Sequence, residues 1–175
     1  MKIGFLAMSG IRAHDKELLK LGLTLPGFVE RSRAIASLPS LGLLYLAACT
    51  PDGHELQYFE AESSGAEPAE LATCDLVAIS TFSAQIFEAY EIADRLRKKG
   101  VKVAMGGLHV SVLPDEALLH ADYVVVGEGE NSWPAVVRAA TNGGGGGIFR
   151  AGDFAPVDVA ELPVPRYDLL GDRPY

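Results

Sequence analysis

Cysteine and long apolar runs are scarce in this chain of 175 residues, and each shortage excludes a class of protein. The two cysteines, Cys49 and Cys74, have no C-x-x-C partner. This excludes a disulfide framework and a zinc or iron–sulfur site built on thiolates of this chain. No apolar run reaches the roughly 18 residues of a transmembrane helix, so none is predicted. The N-terminus is typical of a strand rather than a signal peptide, and we expect a cytoplasmic protein.

Positive charge is also in short supply. Lys and Arg number 15 against 23 Asp and Glu, which makes the formal net charge −8 at pH 7. An acidic chain is a poor partner for nucleic acid and for an anionic membrane surface, so we expect it to bind neither. Hydrophobic residues reach 49%, the usual share for a globular protein, and the length suits one domain with its own core.

Short apolar runs alternate with amphipathic stretches, a pattern typical of a parallel α/β sheet. Several runs are continuous Val, Ile, Leu and Ala, which indicates strands covered on both faces. Together they predict a doubly wound, flavodoxin-like (Rossmann-like) α/β fold, with a five-stranded parallel sheet and helices on both faces. The predicted strands are Lys2–Met8, Leu56–Glu60, Leu76–Ser80, Val101–Met105 and Tyr123–Val126. The predicted helices are Leu41–Cys49, Ala84–Lys99, Asp115–His120 and Asn131–Thr141.

Four segments lie outside these predicted strands and helices. Residues 9–39 form a long insertion after the first strand, and long ordered loops in compact domains are usually functional. Gly143–Gly147 is interpreted as a flexible connection rather than a phosphate-binding loop. The runs Ile148–Arg150 and Phe154–Val157 flank a turn and predict a small C-terminal edge hairpin. The tail from Glu161 to Tyr175 has no helical periodicity and is interpreted as a linker.

The first predicted strand lacks the signatures of the common ligands of this fold. It ends in Met8-Ser9-Gly10, with neither G-x-G-x-x-G nor a P-loop. The carboxylates of a response regulator are missing, and so is the hydroxyl-rich phosphate loop of a flavodoxin. The sequence therefore disfavours dinucleotides, nucleoside triphosphates and flavin phosphate as ligands.

Small and polar residues cluster after the third, fourth and fifth strands. Ligands of doubly wound sheets bind outside the carboxyl ends of the strands, so this edge is the predicted site. The carboxylates at this edge would repel a phosphate group, whereas the glycines leave room for a bulky group. Together these residues suit a large ligand with an extended tail. Capping and tight turns remain the alternatives, with Ser83 favoured as a helix cap. The candidate ligand-binding residues are Ser9, Gly10, Ser80, Thr81, Phe82, Gly106, Gly107, His109, Gly127, Glu128, Gly129 and Glu130.

An ordered set of short motifs resembles the N-terminal cobalamin (vitamin B12)-binding domain of B12-dependent radical SAM enzymes. Each motif is weak alone, but the set covers nearly the whole chain. The motifs are Pro39-Ser40-Leu41-Gly42-Leu43-Leu44-Tyr45-Leu46-Ala47, Gly53-His54-Glu55, Asp75-Leu76-Val77-Ala78-Ile79-Ser80, Gly106-Gly107-Leu108-His109-Val110-Ser111, Leu113-Pro114-Asp115-Glu116, Gly127-Glu128-Gly129-Glu130 with Trp133, and Leu162-Pro163-Val164-Pro165-Arg166-Tyr167-Asp168-Leu169-Leu170.

The resemblance implies a sheet that holds cobalamin, with the corrin over the carboxyl ends of the strands. Its dimethylbenzimidazole tail would insert toward Ser80-Thr81, Gly106-Gly107 and Gly127–Glu130. It also implies a cobalamin domain over residues 1–150, and a hairpin and linker over 151–175 leading to a radical SAM domain, in the same chain or another. That parent enzyme would use S-adenosylmethionine and a [4Fe-4S] cluster, commonly for methyl transfer.

Two features depart from the family pattern. The D-x-H-x-x-G motif of other B12 domains is replaced by Arg12-Ala13-His14-Asp15-Lys16-Glu17, so His14 is not favoured as a cobalt ligand and no metal ligand is predicted. The C-x-x-x-C-x-x-C motif that holds the radical SAM cluster is absent, so we expect this polypeptide to be one part of the enzyme, non-catalytic alone. The rival hypotheses are a degenerate B12-like fold that serves as a docking module, and a domain for another nucleotide-like ligand.

Overall fold

The computed structural model describes residues 1–8 and 38–173. Residues 9–37 of the predicted insertion after the first strand, including Ser9, Gly10 and His14, lie outside the described residues. The strands are β1 Lys2–Met8, β2 Glu55–Ala61, β3 Leu76–Ser80, β4 Lys102–Gly106, β5 Tyr123–Val126 and β6 Gly147–Arg150. The α-helices are α1 Leu41–Ala48, α2 Ile86–Lys98, α3 Leu108–Val112, α4 Pro114–His120 and α5 Trp133–Thr141. Short 3-10 turns lie at Ala69–Thr73, Ser83–Gln85, Ala151–Asp153, Val159–Glu161 and Tyr167–Leu170.

All the strands belong to one parallel sheet with the order β2-β1-β3-β4-β5-β6. The order reverses between β1 and β3, which places the switch point of the doubly wound sheet there. The predicted α/β class, parallel pairing and flavodoxin-like arrangement are confirmed. Among the described residues no helix is long and apolar enough to cross a membrane.

The described residues form six strands instead of the predicted five, because the predicted edge hairpin does not form and its first run joins the sheet. Ile148–Arg150 belongs to β6, which pairs parallel to β5. Ala151–Asp153 is a 3-10 turn, and Phe154–Val157 carries no strand. The sequence pattern of two apolar runs around a glycine does not distinguish an antiparallel hairpin from a parallel edge strand, since the partner strand decides the direction.

The glycine run before β6 does more than connect two elements. An added Cβ on Gly146 would lie 2.0 Å from the carbonyl oxygen of Asp122, so only glycine permits this approach. The next amide, that of Gly147, donates a hydrogen bond to the same oxygen at 2.9 Å. The run therefore brings β6 against the start of β5.

The two faces of the sheet differ in side-chain size near its carboxyl edge. On the face covered by α2 and α4, β3 and β4 present Val77, Ile79, Val103 and Met105 to the core. On the opposite face, covered by α1 and α5, the same strands present much smaller residues. Ala78 and Ser80 alternate with the large residues of β3, and Ala104 and Gly106 do so in β4. This difference leaves space between the sheet and α1.

The last described segment, Leu162–Arg173, packs back on the domain and is called the C-terminal strap below. The backbone amide of Arg166 donates to the carbonyl of Leu44 in α1 at 3.2 Å. Leu169 and Leu170 pack against the core cluster on the α1 side. The Arg173 guanidinium donates to the carbonyl of Tyr58 at 3.0 Å and lies over its ring. The predicted linker thus contacts both α1 and β2.

A surface ion pair joins the loop after β2 to helix α2. Burial raises the pKa of the Glu67 carboxyl, but hydrogen bonds from Arg95 and from the amide of Gly65 outweigh it, and the net pKa is lowered. A carboxyl group whose pKa is lowered by folding stabilises the fold at pH values above its unfolded-state pKa. This contribution is lost as the pH falls through the folded-state pKa. Because Arg95 is partly exposed, we expect Glu67→Gln to cost only about 0.5 kcal/mol at pH 7.

The measurement is urea unfolding of the unchanged chain and of Glu67→Gln, at pH 7 and below pH 4. The difference in unfolding free energy should vanish at the lower pH. Glu62→Gln, at an exposed position of the same loop, is the matched control. A difference that stayed constant with pH would refute the role of the ion pair.

Candidate functional site

A cavity of about 470 Å³ opens at the carboxyl edge of the sheet, between β3, β4 and β5 and the helix α1. Its volume lies in the range of small-molecule sites. Its position is the one predicted for ligands of doubly wound sheets. The cavity is lined by Gly42, Leu43, Leu46, Ala78, Ile79, Ser80, Thr81, Phe82, Ala104, Met105, Gly106, Gly107, Leu108, Ser111, Val125, Gly127, Glu128, Gly129, Glu130 and Trp133.

The floor of the cavity is the small-residue face of the sheet, arranged in two layers. The strand register pairs Ala78 with Ala104 in the inner layer and Ser80 with Gly106 in the outer layer. In both layers the residues are alanine, serine or glycine, so their side chains occupy little of the space beneath α1. The inner layer is closed to solvent, since Ala78 and Ala104 are each at most 3% exposed. The floor is therefore apolar inside and opens toward solvent at the outer layer.

Helix α1 and the start of α5 form the facing wall. Ser40 caps α1, because its side chain accepts a hydrogen bond from the amide of Leu43 at 3.4 Å. Leu43 and Leu46 of this helix face the cavity. Trp133, at the start of α5, is fully buried and donates its indole N–H to the hydroxyl of Thr50 at 2.8 Å. That hydrogen bond joins the end of α1 to α5 and holds the wall in place.

The glycines at the cavity differ in how strictly the backbone requires them. An added Cβ on Gly107 would lie 2.6 Å from the carbonyl oxygen of Thr81, at a positive φ of 112°. Gly127 also has a positive φ, of 82°, and a Cβ added to it would lie 3.1 Å from the Cβ of Ala151. Gly106 has ordinary strand geometry, and its added Cβ would lie 3.7 Å from Val125. Gly107 and Gly127 are therefore required by the backbone, whereas Gly106 leaves space that a ligand can fill.

Polar groups lie mainly near the mouth. Ser80 ends β3, and Glu128 and Glu130 follow β5; none of the three is fully buried. The hydroxyl of Ser111 accepts a hydrogen bond from the amide of Gly127 at 2.9 Å and ties α3 to the loop after β5. The described residues contain no group of three or more His, Cys, Asp or Glu side chains suited to a metal ion.

A single thiol lies close to this region. Burial raises the pKa of Cys49, and the nearby carboxylate of Glu130 raises it further. The thiol is therefore protonated at neutral pH. It offers neither a thiolate ligand nor a nucleophile to the cavity.

Most of the candidate residues from the sequence are brought together here. Nine of the twelve line this one cavity: Ser80, Thr81, Phe82, Gly106, Gly107, Gly127, Glu128, Gly129 and Glu130. His109 does not line it, because its ring lies 3.3 Å from the carboxylate of Glu116 on α4. Ser9 and Gly10, like His14, lie outside the described residues. Ser83 does not cap a helix with its side chain; it is the first residue of a 3-10 turn.

Sequence reasoning missed the wall opposite the sheet. Gly42, Leu43 and Leu46 of α1 line the cavity, as do Ser111 and Trp133. The helix from Leu41 is apolar on all sides, which is a signal for a helix buried on more than one face. That signal was available in the sequence, but it does not say which strand ends the helix covers.

Three methyltransferases are similar to this chain. The bacteriochlorophyllide d C-8(2)-methyltransferase of Chlorobaculum tepidum is 42% identical over 83 residues, which are 47% of this chain and 18% of that protein. An uncharacterized methyltransferase of Synechocystis sp. is 34% identical over 134 residues, 76% of this chain and 25% of that protein. The bacteriochlorophyllide d C-12(1)-methyltransferase of C. tepidum is 28% identical over 123 residues, 70% of this chain and 27% of that protein.

The matched segments span about a quarter or less of each relative's length. The B12 binding domain family matches residues 34–137, which include α1, the strands β2 to β5 and most of the cavity lining. The family match, the doubly wound sheet and the cavity at its carboxyl edge agree: this chain belongs to the B12 binding domain family.

Proposed function

We propose that this chain holds and orients cobalamin, with the dimethylbenzimidazole tail in the cavity, for methyl transfer by a separate radical SAM catalytic domain. The observation that carries the proposal is the small-residue floor beneath α1. The four neighbouring strand positions are Ala78, Ser80, Ala104 and Gly106, and their small side chains leave space that protein interiors normally fill. An inserted flat aromatic group fills it.

The residues present fit such a tail. A benzimidazole is apolar over most of its surface, and the inner cavity is lined by Ala78, Ala104, Leu43 and Leu46. The sugar and phosphate that follow the base are polar and belong at the mouth, where Ser80 lies. The exposed carboxylate of Glu128 suits hydroxyl or amide donors and disfavours a phosphate beside it.

The role of the chain is to bind and orient. The cavity holds the base, and Phe82 and Leu108, both more than 60% exposed at its rim, provide an apolar surface for the rest of the cofactor. Bound cobalamin would supply a methyl group carried on its cobalt. The described residues at the rim would exclude water from one side of the macrocycle.

The catalytic part is inferred from the resemblance and the relatives. The three relatives are methyltransferases several times longer than the matched segment. S-adenosylmethionine and a [4Fe-4S] cluster would belong to that further part, since this chain has only two cysteines. Residues 1–150 would form the cobalamin domain, and 151–175 would lead toward the catalytic domain.

The test is an absorption titration of the purified chain with hydroxocobalamin and methylcobalamin, followed by gel filtration. Cobalamin is coloured, so retained ligand is measured directly. We expect methylcobalamin to co-elute with a base-off spectrum, because a base inside the cavity cannot also coordinate cobalt. The matched control is the same titration after thermal unfolding.

Two outcomes would contradict the proposal. Retained colour with a base-on spectrum would mean that cobalamin binds without inserting its tail. No retained colour, in this chain and in a longer chain with the catalytic domain, would favour the docking-module alternative.

A further inference from the structure

The described residues that line the inner part of the cavity offer little to a polar ligand atom. Ala78 and Ala104 form its floor, and Leu43 and Leu46 form its wall. Three of these four are at most 3% exposed, so water reaches this region poorly. Their side chains provide neither a donor nor an acceptor.

The polar side chains around the inner part already have partners. The indole N–H of Trp133 donates to Thr50. The hydroxyl of Thr81, 3% exposed, donates to the carbonyl of Phe82 at 3.2 Å. The main-chain groups of β3 and β4 hydrogen-bond within the sheet, where the two strands pair over five residues. A polar group inserted beside Ala78 and Ala104 would thus lose water and gain few hydrogen bonds.

We infer that the cavity selects the base of the bound cobamide, accepting an apolar aromatic base such as dimethylbenzimidazole and discriminating against a purine. This inference rests on the proposed function. Adenine is similar in size to a benzimidazole but carries an exocyclic amine and additional ring nitrogens. Each of these groups is hydrogen-bonded in water, and leaving them unpaired in an apolar cavity is unfavourable. Size alone does not separate the two bases, so polarity is the selecting property.

The experiment compares the affinities of this chain for two cobamides with the same corrin, cobalamin and the cobamide that carries adenine as its base. Both are coloured, and fluorescence quenching or absorption gives each dissociation constant. We expect cobalamin to bind on the order of tenfold more tightly or better. Equal affinities for the two cobamides would overturn the proposed selectivity but would not contradict the proposed function of cobalamin binding. Loss of binding of both cobamides would instead refute the proposed function, and the selectivity with it.

A variant pair assigns the selectivity to the cavity. Leu46→Gln places an amide at the wall, and Leu46→Met keeps the wall apolar with a similar volume. Leu46 is only partly buried, and both substitutes are good helix formers, so the fold should tolerate them. The ratio of the affinity for cobalamin to the affinity for the adenine-bearing cobamide should fall several-fold in Leu46→Gln. In Leu46→Met this ratio should stay the same, even if both affinities change together. An unchanged preference in both variants would overturn the assignment.

Discussion

Replacing Gly106 by valine should abolish the retention of cobalamin while leaving the fold intact. Gly106 has ordinary strand geometry, and a Cβ there makes only a normal contact with Val125. The methyl groups of valine would extend into the outer layer of the cavity, above Ser80, where the tail must pass. Overpacking of this kind costs about 1–3 kcal/mol in a filled site, so affinity should fall roughly 5- to 150-fold.

The measurement is a dissociation constant for methylcobalamin beside a thermal melt. The melting temperature should be unchanged or slightly raised, because valine is favoured in strands and fills empty space. Gly152→Val is the matched control, since a Cβ at Gly152 meets nothing within 4 Å and lies outside the cavity lining. Undiminished binding in Gly106→Val would show that the tail does not enter between β4 and α1.

Gly127 and Gly107 are poor positions for this test. Both have positive φ, where a β-branched residue is strained whatever the ligand does. A loss of binding in Gly127→Val or Gly107→Val would therefore report damage to the backbone as readily as a blocked cavity.

Removing the apolar anchors of the C-terminal strap should destabilise the whole domain. Leu169 and Leu170 are partly buried against the core cluster on the α1 side. Truncating both to alanine removes partly buried apolar side chains, and we expect a loss of about 2 kcal/mol in unfolding free energy. Because the strap also holds the carbonyl of Leu44 in α1, the variant should bind cobalamin more weakly.

The measurement is urea unfolding of the double variant against the unchanged chain. Val164→Ala is the control, because Val164 lies in the same strap but is 78% exposed; its effect should stay within about 0.5 kcal/mol. If the double variant is as stable as the control, the strap does not pack on α1 in solution, and the segment is only a linker.

The sequence predicted the sheet because strand and helix periodicities are local properties. Continuous apolar runs such as Leu76–Ser80 indicated buried parallel strands, and the observed β3 has these bounds. The small and polar residues after three of the strands predicted the site for the same reason. Parallel strands end at one edge, so residues such as Gly106 and Glu128 must meet there.

The sequence did not predict the depth of the cavity or its second wall. Ala78 and Ala104 are ordinary core residues by composition; only the register of β3 with β4 makes them one small-residue floor. Whether α1 or another helix covers that floor depends on the crossover of the chain. The pairing of His109 with Glu116 likewise depends on how α4 packs, and it directs the ring away from the cavity lining.

The sequence by itself predicted five of the six strands and four of the five α-helices that the structure describes, their parallel arrangement, and the edge at which a ligand would bind. The tertiary structure alone decided that β6 pairs parallel to β5 and that the strap returns to α1. It also decided that a cavity remains beneath α1. The reason is physical: periodicity and turn chemistry act over a few neighbouring residues, whereas the size of a cavity depends on side chains that are distant along the chain and meet only after folding.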